Sequence, residues 1–207
     1  MKNILISQKI LQDKNNQILF ATEGNWNKFF ERTNVNLISV NLNNFNKKKL
    51  DLLNPKGLIL HGGNDLPKYK KGKHNVLRKK IDKFLFKYAL KKKIPILAVC
   101  YGFQFIADFY GVKLSKKSKH VRTSHTLQLN RFFKKKYYKK IMINSYHSHV
   151  VKKLPKNFNF ISRCFDESIE LAASDKNKIL CVMFHPERKN GDQKIVKKMV
   201  LNHLGTK

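Results

Sequence analysis

Short apolar runs alternate along the chain with longer segments whose apolar residues recur every three or four positions. The short runs Ile4 to Ser7, Leu37 to Val40, Gly57 to His61 and Ile94 to Cys100 predict buried strands. Between the last two, Leu77, Ile81, Phe84, Leu85 and Tyr88 fall at helical spacing within Val76 to Leu90, and Pro95 follows as the break. That order is a βαβ unit. Phe103, Phe105, Ile106 and Phe109 predict a further helix ending near Gly111. The alternation predicts an α/β fold, with a parallel sheet covered on both faces by crossover helices. The second half predicts strands in succession, at Thr126 to Leu129, Ile141 to Asn144, Phe158 to Arg163, Ser168 to Ala172 and Ile179 to Phe184, then an amphipathic helix from Asp192 to Leu204. No internal repeat or linker interrupts the pattern, so residues 1–207 read as a single domain.

Composition narrows the setting. Hydrophobic residues make up 42% of the chain, enough for a packed interior. No apolar run approaches the roughly 18 residues that a membrane span requires, and the apolar stretch after Met1 is too short for a signal peptide. Cys100, Cys164 and Cys181 are odd in number and lack metal-ligand spacing, which argues against a disulfide framework and for a cytoplasmic home with one thiol free to react. The net charge of +31 would by itself suggest a polyanion such as nucleic acid. Yet lysine, asparagine and isoleucine are enriched together, as an AT-rich coding sequence would produce. The runs Lys47-Lys48-Lys49, Lys91-Lys92-Lys93 and Lys134-Lys135-Lys136 also fall at expected element ends or loops. The charge is therefore read as a solvated surface, with an acidic substrate or partner as the other reading. A nucleic-acid-binding protein on an inactive scaffold rests on the charge alone, because no recognition motif accompanies it.

Three motifs carry candidate chemistry. Ile94 to Val99 delivers Cys100 at a strand end and enters a helix at once through Tyr101-Gly102-Phe103-Gln104, the form of a nucleophile elbow. A helix amino terminus favours a thiolate, the nucleophilic form of cysteine. A cysteine after an apolar strand is, taken alone, more often a small core residue. The second motif is Leu180 to Phe184 followed by His185-Pro186-Glu187. In extended chain, residues two apart project to one side, and Pro186 keeps the segment from turning helical. His185 can then take the thiol proton and later protonate a leaving amine, while Glu187 holds its tautomer. The third motif is His61-Gly62-Gly63-Asn64-Asp65 after a strand. Backbone amides of Gly63, Gly62 and Tyr101 could form an oxyanion hole, in which each donor is worth roughly 2.7–4 kcal/mol in the transition state. Standing alone, the last motif would be a plain Gly-Gly turn.

In this order the three motifs resemble the class I glutamine amidotransferase superfamily, over about residues 55 to 190. The resemblance implies a flavodoxin-like doubly wound, mostly parallel sheet, with neither metal nor organic cofactor. It implies hydrolysis of a γ-glutamyl amide through a γ-glutamyl thioester, with Gln104 touching the glutamyl part and Tyr146, His147 and Ser148 lining its pocket. The Gly-Gly-Asn-Asp turn, the Arg78 to Ala89 helix and His120-Val121-Arg122-Thr123-Ser124-His125 look like the γ-glutamyl hydrolase branch. Tyr101 departs from that branch, which commonly has Arg there, and so leaves the substrate class open. Gln8 and the Glu23 to Phe30 segment are similar to the γ-glutamyl-CDP-amidate hydrolases of capsular phosphoramidate synthesis. For such a substrate His120, Arg122 or nearby lysines would supply cations to a diphosphate; otherwise they belong to a solvated loop. The alternative is a glutaminase subunit that passes ammonia to a partner synthase.

Overall fold

The computed structural model describes residues 1–41, 46–117, 120–129 and 139–206. The first half contains β1 (Lys2–Ser7), a hairpin of β2 (Lys9–Gln12) and β3 (Ile18–Ala21), α1 (Asn25–Phe30), β4 (Val35–Val40) and α2 (Lys47–Leu52). It continues through β5 (Gly57–Leu60), α3 (Lys73–Lys92), β6 (Ile96–Val99) and α4 (Tyr101–Phe109). The second half contains β7 (Ser115–Lys116), β8 (Val121–Leu129), β9 (Lys139–Tyr146), β10 (His149–Val150) and β11 (Phe160–Arg163). The chain then forms β12 (Ile169–Ser174), β13 (Ile179–Val182) and α5 (Gln193–His203).

The main sheet runs β11-β12-β13-β6-β5-β1-β4. From β13 to β4 all pairings are parallel, whereas β11 and β12 are antiparallel at one edge. In chain order the parallel strands are arranged 2-1-3-4-5, the flavodoxin-like doubly wound order, whose ligand crevice lies at the carboxyl ends of the strands. Strands β5, β6 and β13 are buried throughout, as expected where helices cover both faces. Alternation then sorts their side chains between two cores. Leu58, Leu60, Ile96 and Ala98 join Phe86 of α3 and Phe105 of α4. Ile59, Leu97, Val99 and Val182 join Trp26 of α1 and Met199 of α5 on the opposite face.

The elements expected from periodicity are present, with shifted ends. Helix α3 extends to Lys73–Lys92, and β13 stops at Val182. β8 begins at Val121, earlier than its apolar pattern indicates, because its first four residues are exposed. Among the described residues β8 and β9 pair only with each other, in a sheet separate from the main one. The β2–β3 hairpin gives no sequence signal, since Leu11, Ile18 and Leu19 face outward. Helices α1 and α2 have six residues each, and β7 and β10 two each, too short to establish a period. Lys47-Lys48-Lys49 begins α2 and Lys91-Lys92-Lys93 ends α3, both exposed; Lys134-Lys135-Lys136 lies outside the described residues. No described helix is long and apolar enough to cross a membrane.

One contact sets how α4 leaves the sheet. A Cβ built on Gly102 would stand 2.2 Å from the Leu60 carbonyl oxygen of β5, so the helix backbone lies directly on the strand. Backbone cannot step aside as a side chain can. Gly102→Ala should therefore destabilise the protein by about 3 kcal/mol, the upper part of the overpacking range, measured as a lowered urea midpoint. An unchanged midpoint would contradict this packing.

Candidate active site

Three strand ends converge at the carboxyl edge of the sheet. Cys100, between β6 and α4, has φ 49° and ψ −101°, a backbone conformation that L-residues rarely adopt. Its N–H donates to the Val182 carbonyl at 2.8 Å, and its carbonyl accepts from the Gln104 N–H at 3.0 Å. The turn is thus pinned from β13 on one side and α4 on the other. Beyond β13, His185 Nδ1 lies 2.6 Å from Glu187 Oε1, both residues being buried. Asn144 of β9 holds the histidine backbone reciprocally: its Oδ1 accepts from His185 N–H at 2.8 Å and its Nδ2 donates to the His185 carbonyl at 2.9 Å. After β5, a Cβ on Gly62 would lie 2.7 Å from His185 Cε1 and 3.4 Å from Cys100 Cβ. Only glycine fits between them. Gly63 follows with φ +102° under the aliphatic stem of Lys9, and Tyr101 opens α4, where its backbone N–H has no partner within the helix.

The charges around this point are mutually arranged. Burial opposes protonation of His185, but the neighbouring Cys100 sulfur and the Glu187 carboxylate outweigh it and push the imidazole up to about 10. The imidazolium form of His185 is therefore favoured beside the cysteine sulfur. His61 is the reverse case: burial first, then the Arg78 cation, pulls it down to about 3, which leaves a neutral ring beside the pair. Arg78 is fully buried and donates to the His61 carbonyl at 2.6 Å, to Ser7 Oγ at 2.9 Å and to Asp82 at 2.8 Å. It braces the Gly62-Gly63 turn from behind. In front, Arg188 donates to both carboxylate oxygens of Glu23, at 3.1 and 2.7 Å, and lies over the Tyr146 ring at 4.6 Å. Burial works against the Glu23 charge, yet Arg188 holds that carboxyl below its usual range.

The remaining residues singled out in the sequence divide into two groups. Tyr146 sits edge-on to His185 at 5.8 Å and is 42% exposed at the mouth of the site. Gln104 is buried and donates to the His149 carbonyl at 3.1 Å, and Ser148 Oγ lies 3.4 Å from His149 Nδ1. Arg122 is exposed and, with Tyr146, Asn144 and Lys189, lines a cavity of about 720 Å³ next to the histidine. His120 and His147 do not face that cavity. Both are buried around Glu170 of β12, so the sequence expectation that His120 serves as an open cation is corrected. Sequence reasoning missed the bracing roles of Asn144, Arg78, Glu23 and Arg188. Asn144 lay in a quoted motif and Arg188 beside Glu187, but Glu23 is separated from its partner by 165 residues.

Comparison with known proteins shows the family and the fold. A family model described as Glutamine amidotransferase class-I matches residues 24–202. The chain belongs to the class I glutamine amidotransferase family. It is 34% identical over 139 residues to the γ-glutamyl-CDP-amidate hydrolase of Campylobacter jejuni, a match covering 66% of this chain and 64% of that protein. It is 38% identical over 101 residues to anthranilate synthase component 2 of Helicobacter pylori, covering 47% of this chain and 50% of that protein. The matched stretches thus span less than two thirds of either relative. The solved structure of a glutamine amidotransferase from Thermotoga maritima shares the fold, with a TM-score of 0.67 at 16% identity, over 97% of this chain and 81% of that one.

Two measurements test the electrostatics of this amidotransferase-family site. Arg78→Met leaves buried Asp82 and the His61 carbonyl without their cation and should cost about 3–5 kcal/mol, read by urea denaturation. His185 binds its proton more tightly when folded, so its contribution to stability is complete below about 6.5 and is lost as pH rises towards about 10. Stability should fall across that window, and Cys100→Ser, which removes the sulfur favouring the imidazolium, should flatten part of the decline. An equal slope in both proteins would contradict the pairing.

Proposed function

We propose that residues 1–207 act as a single cysteine-dependent hydrolase of γ-glutamyl amides. The reading rests chiefly on the buried 2.6 Å His185–Glu187 pair beside Cys100 at a strained strand end. The Cys100 thiolate attacks the γ-carbonyl carbon, and the carbonyl oxygen takes up the negative charge facing the backbone amides of Gly62, Gly63 and Tyr101. As the C–N bond breaks, His185 gives its proton to the leaving nitrogen, and a γ-glutamyl thioester remains. His185 then takes a proton from water, which attacks the thioester and releases glutamate and the thiolate. Glu187 keeps the imidazole oriented through both steps. Gln104, Tyr146 and Ser148 form the surroundings of the glutamyl group, Tyr146 standing edge-on to His185 at 5.8 Å; His147, turned toward Glu170, is left out of that set.

The leaving group is inferred from the flanking cavity. Arg122 and Lys189 bring two cations to a cavity next to Tyr146, where Thr123, Ser124 and Asn190 add further polar groups. Such a lining suits a diphosphate, which agrees with the named activity of the Campylobacter jejuni relative. The substrate class is accordingly a γ-glutamyl-CDP-amidate, placing the reaction in capsular phosphoramidate synthesis within the cytoplasm. The similarity to anthranilate synthase component 2 supports a second reading, a glutaminase subunit that feeds ammonia to a synthase.

Purified protein should release glutamate from a nucleotide-linked γ-glutamyl phosphoramidate, and Cys100→Ala should reduce this at least about 10³-fold while leaving the melting temperature within a few degrees. Arg122→Ala with Lys189→Ala should raise KM for the nucleotide substrate about tenfold or more and leave simple γ-glutamyl amines unaffected. Protein that is inert on the whole panel but hydrolyses glutamine when a synthase is added would favour the subunit reading.

A further inference from the structure

Apart from the candidate active site, three side chains from separate segments meet beneath the β8–β9 hairpin. His120 lies just before β8, His147 just after β9, and Glu170 in the middle of β12. All three are buried, Glu170 completely. One donor atom from each lies within 4.8 Å of the other two. His120 Nδ1 and His147 Nε2 each stand 3.4 Å from Glu170 Oε1, yet neither makes an aligned hydrogen bond with it, and Glu170 Oε2 has no partner either.

The outer nitrogens explain why. His120 Nε2 is held by Asp166 Oδ2 at 3.1 Å, and His147 Nδ1 faces the His149 carbonyl at 3.2 Å. A carbonyl only accepts, so His147 must donate from Nδ1, and the Asp166 carboxylate accepts from His120 Nε2. As neutral rings, both imidazoles then turn a lone pair toward a carboxylate that also offers lone pairs. Something positive has to sit among them. Metal-bound histidines characteristically donate their second N–H to a carboxylate or a backbone carbonyl, and both outer partners here are of that kind. Donors at about 2.0–2.1 Å from zinc are about 3.4 Å apart along a tetrahedron's edge, which matches the two distances to Glu170. Two protons could instead occupy the gap as imidazolium–carboxylate pairs. The poor hydrogen-bond alignment and the idle second carboxylate oxygen argue for a single central cation.

We propose that His120, His147 and Glu170 form a site for a zinc-class divalent cation, with Asp166 and the His149 carbonyl orienting the two imidazoles. The cation joins the β8–β9 hairpin to β12 of the main sheet and fixes the segment that carries Tyr146 toward His185.

The test uses the tag-free full chain carrying Cys100→Ser, so that the elbow thiolate cannot capture metal. After dialysis against Zn²⁺, elemental analysis should count one zinc per chain, and Co²⁺ should give the intense visible absorption of a tetrahedral site. Glu170→Gln and His120→Asn should each reduce uptake to background. Asp166→Asn, which keeps all three ligands, should weaken zinc affinity about 10–100-fold, and it decides the matter if the ligand variants do not fold. Uptake below one tenth of an equivalent by folded Cys100→Ser protein, or affinity unchanged in the folded variants, would overturn the proposal. Hydrolysis is not the readout, so this result is independent of the proposed activity.

Discussion

The contact between Gly102 and the Leu60 carbonyl governs the functional edge of this protein. Because α4 lies on β5 with no side chain between them, the chain leaving β6 has to turn within one residue. Cys100 takes that turn at positive φ, a conformation that costs on the order of 1–3 kcal/mol. Pinning by Val182 and Gln104 and the apolar packing of β5, β6 and β13 offset that cost. The strain holds the thiol at the sheet edge, where the histidine strand also ends. The same closeness explains why Gly62 tolerates no side chain, since the His185 ring occupies the space a Cβ would need.

A chain with net charge +31 uses its few acids sparingly, and its interior shows where. Glu187 orients His185, Asp82 balances buried Arg78, Glu23 binds Arg188 across the mouth, and Glu170 gathers two histidines. Each carboxylate holds a cation or an imidazole whose orientation matters to a neighbouring turn. Arg78 is the clearest case: an arginine with no exposed surface is stable only because Asp82, Ser7 and the His61 carbonyl satisfy its donors. Its guanidinium links the first strand, the Gly-Gly turn and α3. The lysine runs at α2 and α3 lie in solvent and take no part in this arrangement.

The sequence by itself determined the α/β alternation, the helices read at Val76 to Leu90 and Asp192 to Leu204, which the structure bounds at Lys73–Lys92 and Gln193–His203, and the strand ends that present Cys100, Gly62 and His185. These were legible because apolar periodicity and short motifs are local: a strand that must be buried on both faces reads as one apolar run, and residues two apart in extended chain share a side. Tertiary structure alone decided that β8 and β9 leave the main sheet, that the β2–β3 hairpin at residues 9–21 lies beside the Gly63 turn, and that Glu23 meets Arg188. It also decided the fate of His120. Its spacing in the sequence resembles that of an exposed basic loop, but the strand crossings carry it inward to Glu170, a residue hidden in an ordinary apolar strand pattern. Pairings between segments that distant depend on how the sheet is ordered in space, and periodicity along a chain carries no record of that order.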